Sequence, residues 1–178
     1  AGVDSIGLLG STGTYAYLTR EQRRRATDAA MQEAGSRVPV LVGIGALRTD
    51  EAIALAQDAK GAGAAVGLLA PVSYTPLTND EVYEHFVTVE RESGLPLCIY
   101  DNPGTTHFTF SPGLIGRLSR LDGIVAVKTG ALPKDQVAEQ LKGLKAEVRH
   151  GFPVGCSVDI NASEALLAGA VTWYSVIG

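Results

Sequence analysis

The stretch GIVAVKTG, residues 123–130, runs four apolar residues, Ile124 to Val127, straight into Lys128 and then a turn-forming Gly130. Their β-branched, uncharged composition is that of a buried parallel strand. A lysine at the end of such a strand either reaches out to water or gives up its proton, because an ammonium is costly where water is scarce. An unperturbed lysine, of pKa about 10.4, is neutral roughly once in 2,500 molecules at pH 7. Desolvation that brings a lysine to about 7.4 raises the neutral fraction to roughly a quarter, and only the neutral amine attacks a carbonyl. An apolar strand end is thus a place where Lys128 could act as a nucleophile.

Other polar groups close other apolar runs. Tyr100 ends LCIY and precedes DNPG, while GSTG, residues 10–13, follows the first apolar run. Taken singly, each has an ordinary structural reading: GSTG as a strand-to-helix turn, Tyr100 as an amphipathic residue at a strand rim, and Asp101 to Gly104 as a proline turn. The functional reading of GSTG is a pocket in which the hydroxyls of Ser11 and Thr12, with nearby backbone N–H groups, donate to a substrate carboxylate. In a strand, residues two apart share a face, so Lys128 shares one with Ala126 and Ile124, and Tyr100 shares one with Cys98. If both faces point inward, the amine and the phenol converge.

The elements that must position these groups alternate along the whole chain. Apolar runs at Ser5–Leu9, Val38–Val42, Ala65–Leu69, Leu97–Tyr100, Ile124–Lys128, Glu147–His150 and Val171–Val176 read as strands. Helical patterns fall near 20–34, 49–62, 79–93, 111–120, 134–143 and 160–168. Two of them open on a capping box, Thr19 with Gln22 and Thr78 with Glu81. Val82, Phe86 and Val89 make a core-facing stripe that leaves Glu84 and Glu90 toward water. Repeated strand and helix units imply a parallel sheet, either closed as a barrel or open and doubly wound. An open sheet gathers its ligand groups at one switch point, whereas a barrel draws them from the C-terminal ends of many strands. Here GSTGTY, PVSYTP, YDNPGTTHF, KTG and HGFPVG each follow a different run, which favours the barrel.

Composition excludes several partners. The 178 residues are 46% hydrophobic and 19% charged, enough for one sizeable core and one domain. A net charge of −4 with no basic run argues against nucleic acid or an anionic membrane surface. Cys98 and Cys156 lie far apart, and with three scattered histidines they form no metal-site pattern. Reduced thiols and a cytoplasmic location are expected. No apolar run approaches the roughly 18 residues of a membrane span, and AGVDSIGLLG lacks the flanks of a signal peptide.

In LLGSTGT, VPVLVGIG, LLAPVSYTPLTNDEVYEHF, LPLCIYDNPGTT, IVAVKTG and EALLAGAVTWYSVIG, taken in this order, the chain resembles the dihydrodipicolinate synthase and N-acetylneuraminate lyase family. These are class I aldolase-type (β/α)8 barrels that bind pyruvate or a related 2-oxo acid as a Schiff base. The resemblance implies that Lys128 is the Schiff-base lysine and Tyr100 the proton relay. It places Ser11 and Thr12, flanked by Gly10 and Gly13, on the 2-oxo acid carboxylate. It puts Gly151, after the sixth strand, in the pocket lining, and Tyr174 where the last strand offers a backbone carbonyl. It also implies a small-molecule 2-oxo acid and an aldehyde as substrates, no metal or external cofactor, and a homo-oligomer of two or four subunits. A dehydratase acting on a deoxy sugar acid through the same imine is the nearest variant.

The departures from the family pattern fall on the acceptor side. The acidic position of the first loop is Thr14, a tyrosine pair with a relay partner from a neighbouring subunit is replaced by Val72 and Ser73, and the arginine that grips the second substrate's carboxylate in true synthases is Thr105. His107 is a candidate for recognising a different acceptor. The seven runs match the family's strands two to eight, so residues 1–178 are expected to be a single incomplete barrel, part of a longer protein that also has a first βα unit and C-terminal helices. The expectation is a lyase or aldolase on a pyruvate-like acid that is not a true dihydrodipicolinate synthase. From a different class, a truncated or degenerate barrel could bind a 2-oxo acid or a protein without turnover.

Overall fold

The computed structural model describes residues 2–130 and 133–176; Ala131, Leu132 and the last two residues of EALLAGAVTWYSVIG, Ile177 and Gly178, lie outside the described residues. Seven strands, β1 (Ile6–Leu8), β2 (Val40–Gly43), β3 (Val66–Leu69), β4 (Leu97–Tyr100), β5 (Ile124–Thr129), β6 (Val154–Ser157) and β7 (Thr172–Tyr174), form one sheet in sequence order. All six pairings are parallel. The helices α1 (Arg20–Ala34), α2 (Thr49–Gly61), α3 (Asn79–Ser93), α4 (Pro103–Thr106), α5 (Pro112–Leu118), α6 (Val137–Glu147) and α7 (Ala162–Leu167) supply the connections. The fold is an α/β barrel of the TIM type with seven strands among the described residues, β1 and β7 forming the edges of the sheet there. None of the helices among the described residues is long and apolar enough to cross a membrane.

Both predicted capping boxes are formed. Thr19 accepts from the Gln22 backbone N–H while Gln22 accepts from that of Thr19, and Thr78 and Glu81 do the same at α3. The Val82, Phe86 and Val89 stripe is fully buried. Phe86 meets the edge of Phe110, and Phe108 and Phe110 pack edge to face in turn. The main core lies between sheet and helices, with Val40, Val42, Leu69, Leu97, Ile99, Val127 and Val154 directed outward into it. A second, small cluster occupies the inner face: Leu68, Ala70, Cys98 and Tyr100, with Ala126 and Tyr174 packed against them.

Three expectations are corrected. Glu147–His150 is not a strand: Glu147 ends α6, and the sixth strand is Val154–Ser157. Gly151, with φ +77°, therefore lies in the turn that enters β6, at the opposite end of the sheet from Lys128, and it lines no part of the site. Ile124 does not share the face of Lys128 either. Leu97 pairs with Ile124 but Cys98 pairs with Ala126, so a bulge at Val125 puts Ile124 into the outer core and leaves Ala126 and Lys128 inside.

The C-terminal end of β1 is fixed by close backbone contact. A Cβ at Gly43 would meet the Leu9 carbonyl oxygen, and Leu9 itself is in the left-handed region at φ +57°. Gly43→Ala should push back Leu9 and the GSTG loop that follows, costing about 1–3 kcal/mol by urea denaturation. Gly7→Ala, in the same pair of strands but with nothing within 4 Å of its added Cβ, should stay within about 0.5–1 kcal/mol of the parent. Equal losses at both positions would show that close approach at Gly43 is not what holds the loop.

Candidate active site

In a flat parallel sheet the ends of β1 and β4 would stand roughly 14 Å apart, three strand spacings of about 4.8 Å. Here the Tyr100 hydroxyl, at the end of β4, donates to Ser11 Oγ in the 3-10 turn after β1 across 3.2 Å. The curl of the sheet closes that gap. Asn102 joins them, its amide nitrogen 3.0 Å from Ser11 Oγ and 3.1 Å from the Tyr100 hydroxyl. With two donors already on its oxygen, Ser11 keeps its own O–H free to donate outward, which suits an anionic acceptor such as a carboxylate.

Lys128 lies beside Tyr100 in the ladder, and its Nζ sits 4.4 Å from the Tyr100 ring centroid and 5.4 Å from that of Tyr174. On its other side Lys128 pairs with Gly155 of β6. A Cβ there would run into the Tyr174 ring and Thr172, so the missing side chain makes room for Tyr174 to lean into the barrel. The Tyr174 hydroxyl stands 3.7 Å from Cys98 Sγ. Burial pushes the Cys98 thiol up to about 11 and raises the Tyr174 phenol as well, so both keep their protons at neutral pH. Tyr174 thus presents a ring to the site, a contact that goes beyond the backbone carbonyl expected of it.

The remaining sequence-derived candidates separate. Gly10 precedes the Ser11 turn, and Thr12 is exposed on that turn. Thr105 donates its hydroxyl to the Asn102 carbonyl at 3.2 Å, and Ser73 donates to the Thr75 carbonyl at 2.7 Å; both are spent on local turns. His107 is exposed, capping α4 at φ +57°. Sequence reading missed Asn102, whose place two residues beyond Tyr100 put it on the same face, and Gly155. Among the described residues the non-glycine residues with positive φ, Leu9, Thr14, His107 and Val158, all lie in the segments that follow the C-terminal ends of strands, Leu9 and Val158 directly after them. Such strain gathers where function constrains the backbone. Among the described residues no group of three or more His, Cys, Asp or Glu side chains could hold a metal ion.

Directly behind Tyr100, Asp101 turns the other way. Its N–H donates to the Lys128 carbonyl at 3.0 Å, and Oδ1 is buried without a partner. Burial pushes its carboxyl up to about 6, against the opposing pull of the Phe110 N–H. An unfolded aspartate titrates near about 3.9, so between those values the folded chain holds a proton that the unfolded chain has lost. Stability through this group therefore falls as pH rises from about 4 to about 6 and is level above. Asp101→Asn should raise the unfolding free energy at pH 7 by about 2 kcal/mol and leave it nearly unchanged at pH 4. Urea melts at the two pH values measure this, and an equal change at both would contradict it.

With this geometry in place, comparison with known proteins is informative. Residues 1–178 match the Dihydrodipicolinate synthetase family along their whole length. A 4-hydroxy-tetrahydrodipicolinate synthase of Methylococcus capsulatus is 34% identical over 170 residues, 94% of this chain and 56% of its own. The crystal structure of a dihydrodipicolinate synthase from Agrobacterium tumefaciens superposes with a TM-score of 0.95 at 52% identity, covering 99% of this chain and 59% of that one. A prophage protein of the dihydrodipicolinic acid synthase family from E. coli K12, solved in complex with pyruvate, gives a TM-score of 0.90 at 27% identity, with 98% of this chain and 58% of that one covered. The chain thus spans less than two thirds of the length of these relatives. On its sequence and its barrel alike, it belongs to the dihydrodipicolinate synthetase family.

Proposed function

We propose that the protein carrying this barrel is a lyase of the class I aldolase type, which condenses or cleaves a pyruvate-like 2-oxo acid through a Schiff base on Lys128. The observation that carries the reading is the placing of the Lys128 amine 4.4 Å from the Tyr100 ring, whose hydroxyl is held by Ser11 across the barrel mouth. The neutral amine attacks the ketone. Tyr100 passes a proton to the departing water during dehydration to the imine, and Ser11, with the turn behind Gly10, donates to the carboxylate. Loss of a proton from the adjacent carbon gives an enamine, which adds to an aldehyde; retro-aldol cleavage is the reverse. The protonated imine is the electron sink, so this chemistry asks for no metal or external cofactor. The pyruvate in the E. coli relative's structure supports the 2-oxo acid as donor.

The acceptor side supports a substrate other than aspartate semialdehyde. Thr105 stands where a true synthase has its arginine, and its hydroxyl is tied to Asn102. Without a charge-assisted clamp a substrate carboxylate forgoes about 1.5–3 kcal/mol, roughly a 10- to 150-fold effect. Turnover with aspartate semialdehyde should be weaker by about that factor than with the best member of an aldehyde panel. Efficient formation of the dihydrodipicolinate-pathway product would overturn this part of the reading. The same observation favours one second reading, a barrel that binds a 2-oxo acid without turning it over.

The Schiff base is tested on the full-length protein. Pyruvate followed by borohydride should leave a stable adduct of one pyruvate-derived mass on the peptide containing Lys128. Lys128→Ala and Lys128→Arg should both abolish it, the second because guanidinium stays protonated. Tyr100→Phe should slow its formation by about 10²-fold or more while keeping the nucleophile. An adduct on another lysine, or none in folded protein, would refute the assignment; an adduct without turnover of any aldehyde would favour the binding reading.

A further inference from the structure

A second phenol reaches the mouth of the barrel from the first loop. Tyr15 follows Thr14, whose left-handed φ of +53° turns the chain so that the Tyr15 ring is buried at the edge of the main core at 7% exposure, while Tyr17 stays 89% exposed. A Cβ at Gly45 would stand 3.3 Å from the Tyr15 hydroxyl and 3.2 Å from the Ala70 carbonyl, so the hydroxyl sits over the C-terminal ends of β2 and β3. Ala70 belongs to the same inner cluster as Tyr100, and Tyr100 is near enough to act on the charge of Tyr15. Arg23 holds the ring in place. Its guanidinium lies 5.1 Å from the Tyr15 centroid and donates to the Gly45 carbonyl at 3.0 Å.

The Tyr15 hydroxyl has no task in the fold. No hydrogen bond to it is found among the described residues, and it is not one of the two polar side-chain atoms shut away from water without a partner, His85 Nε2 and Asp101 Oδ1. A phenol with a buried ring, a fixed orientation and a free tip open to the mouth is a donor waiting for a ligand. The Ala70 carbonyl, which shares the space over Gly45 with the Tyr15 hydroxyl, accepts the Val72 N–H, at the position where the family's tyrosine pair is replaced by Val72 and Ser73.

We propose that the Tyr15 hydroxyl is a second catalytic group of the site, donating to the carbonyl oxygen of the aldehyde acceptor; this rests on the Schiff-base reading above. As the enamine carbon forms its bond to the aldehyde carbon, the carbonyl π pair moves onto oxygen and takes the Tyr15 proton. The enamine nitrogen becomes an iminium, and the phenolate recovers a proton from water. Hydrolysis of the iminium then frees Lys128. In the cleavage direction the phenolate takes the hydroxyl proton back. The acceptor-side donor is thus supplied by the same chain that supplies the lysine.

The two half-reactions separate the possibilities on full-length protein. Tyr15→Phe keeps the ring on Arg23, and it should trap pyruvate on Lys128 with borohydride within about twofold of the parent rate. With the best aldehyde of the panel its kcat should fall by about 10²-fold or more, with a smaller change in KM. Arg23→Lys, which loosens the ring but keeps the hydroxyl, should give an intermediate loss confined to the aldehyde step. Equal loss in both half-reactions would reduce Tyr15 to a packing residue, and no loss in either would overturn the proposal. Failure of the parent protein itself to trap pyruvate refutes the Schiff-base reading and this inference with it. A parent that traps pyruvate but accepts no aldehyde overturns this inference alone.

Discussion

The hydrogen bond from Tyr100 to Ser11 spans the ends of two strands that are not neighbours, and the site exists only while the sheet stays curled enough to permit it. Three parallel ladders separate β1 from β4, and each must keep its twist for the two hydroxyls to meet. Asn102 reinforces the contact by bonding both hydroxyls at once. A polar node of this kind has a fixed geometry because every partner is rooted in backbone: Tyr100 in β4, Asn102 at the head of α4, and Ser11 in a tight turn whose Gly10 carbonyl accepts from Gly13.

The outer core supplies the rigidity. Val40, Val42, Leu69, Leu97, Ile99 and Val127 lock the strands to the helices, whereas the inner cluster is small and ends in polar groups. This division suits a barrel that must be stiff outside and receptive within. The aromatic chain Phe86, Phe110, Phe108 continues the outer core up to the loop that follows α4, directly behind Asp101 and Tyr100. Packing on one side of β4 thereby sets the position of the polar groups on the other.

Most of the fold was legible because its signals are local. Apolar runs located six of the seven strands, and the capping boxes located the starts of α1 and α3. The sixth strand was misplaced for a reason found in the site: Tyr174 needs Gly155 to have no side chain, and a strand reading VGCS loses the β-branched signature by which strands are recognised. Lys128 and Tyr100 could be read as strand ends facing one another. Gly151 could not be placed correctly once the strand had slipped, and Ile124 followed an alternation that a bulge interrupts. Tyr15 escaped notice because its direction depends on a left-handed Thr14, a conformation that threonine does not announce.

The bulge at Val125 acts as a phase shifter for everything that follows it in β5. Upstream of it, odd and even positions have one meaning; downstream they have the opposite one, and Lys128 lies downstream. A chain that lost this one extra residue, with the pairing upstream of it kept, would run Ile124 straight into Ala126 in regular alternation, leaving Ile124 in the outer core and the amine in the lumen. The bulge thus holds a spare residue, and the ladder can take up its loss without turning either end of β5 over. A single-codon deletion there would straighten β5 with Lys128 still inside, whereas strict alternation through all six residues would have forced Ile124 onto the face of the amine.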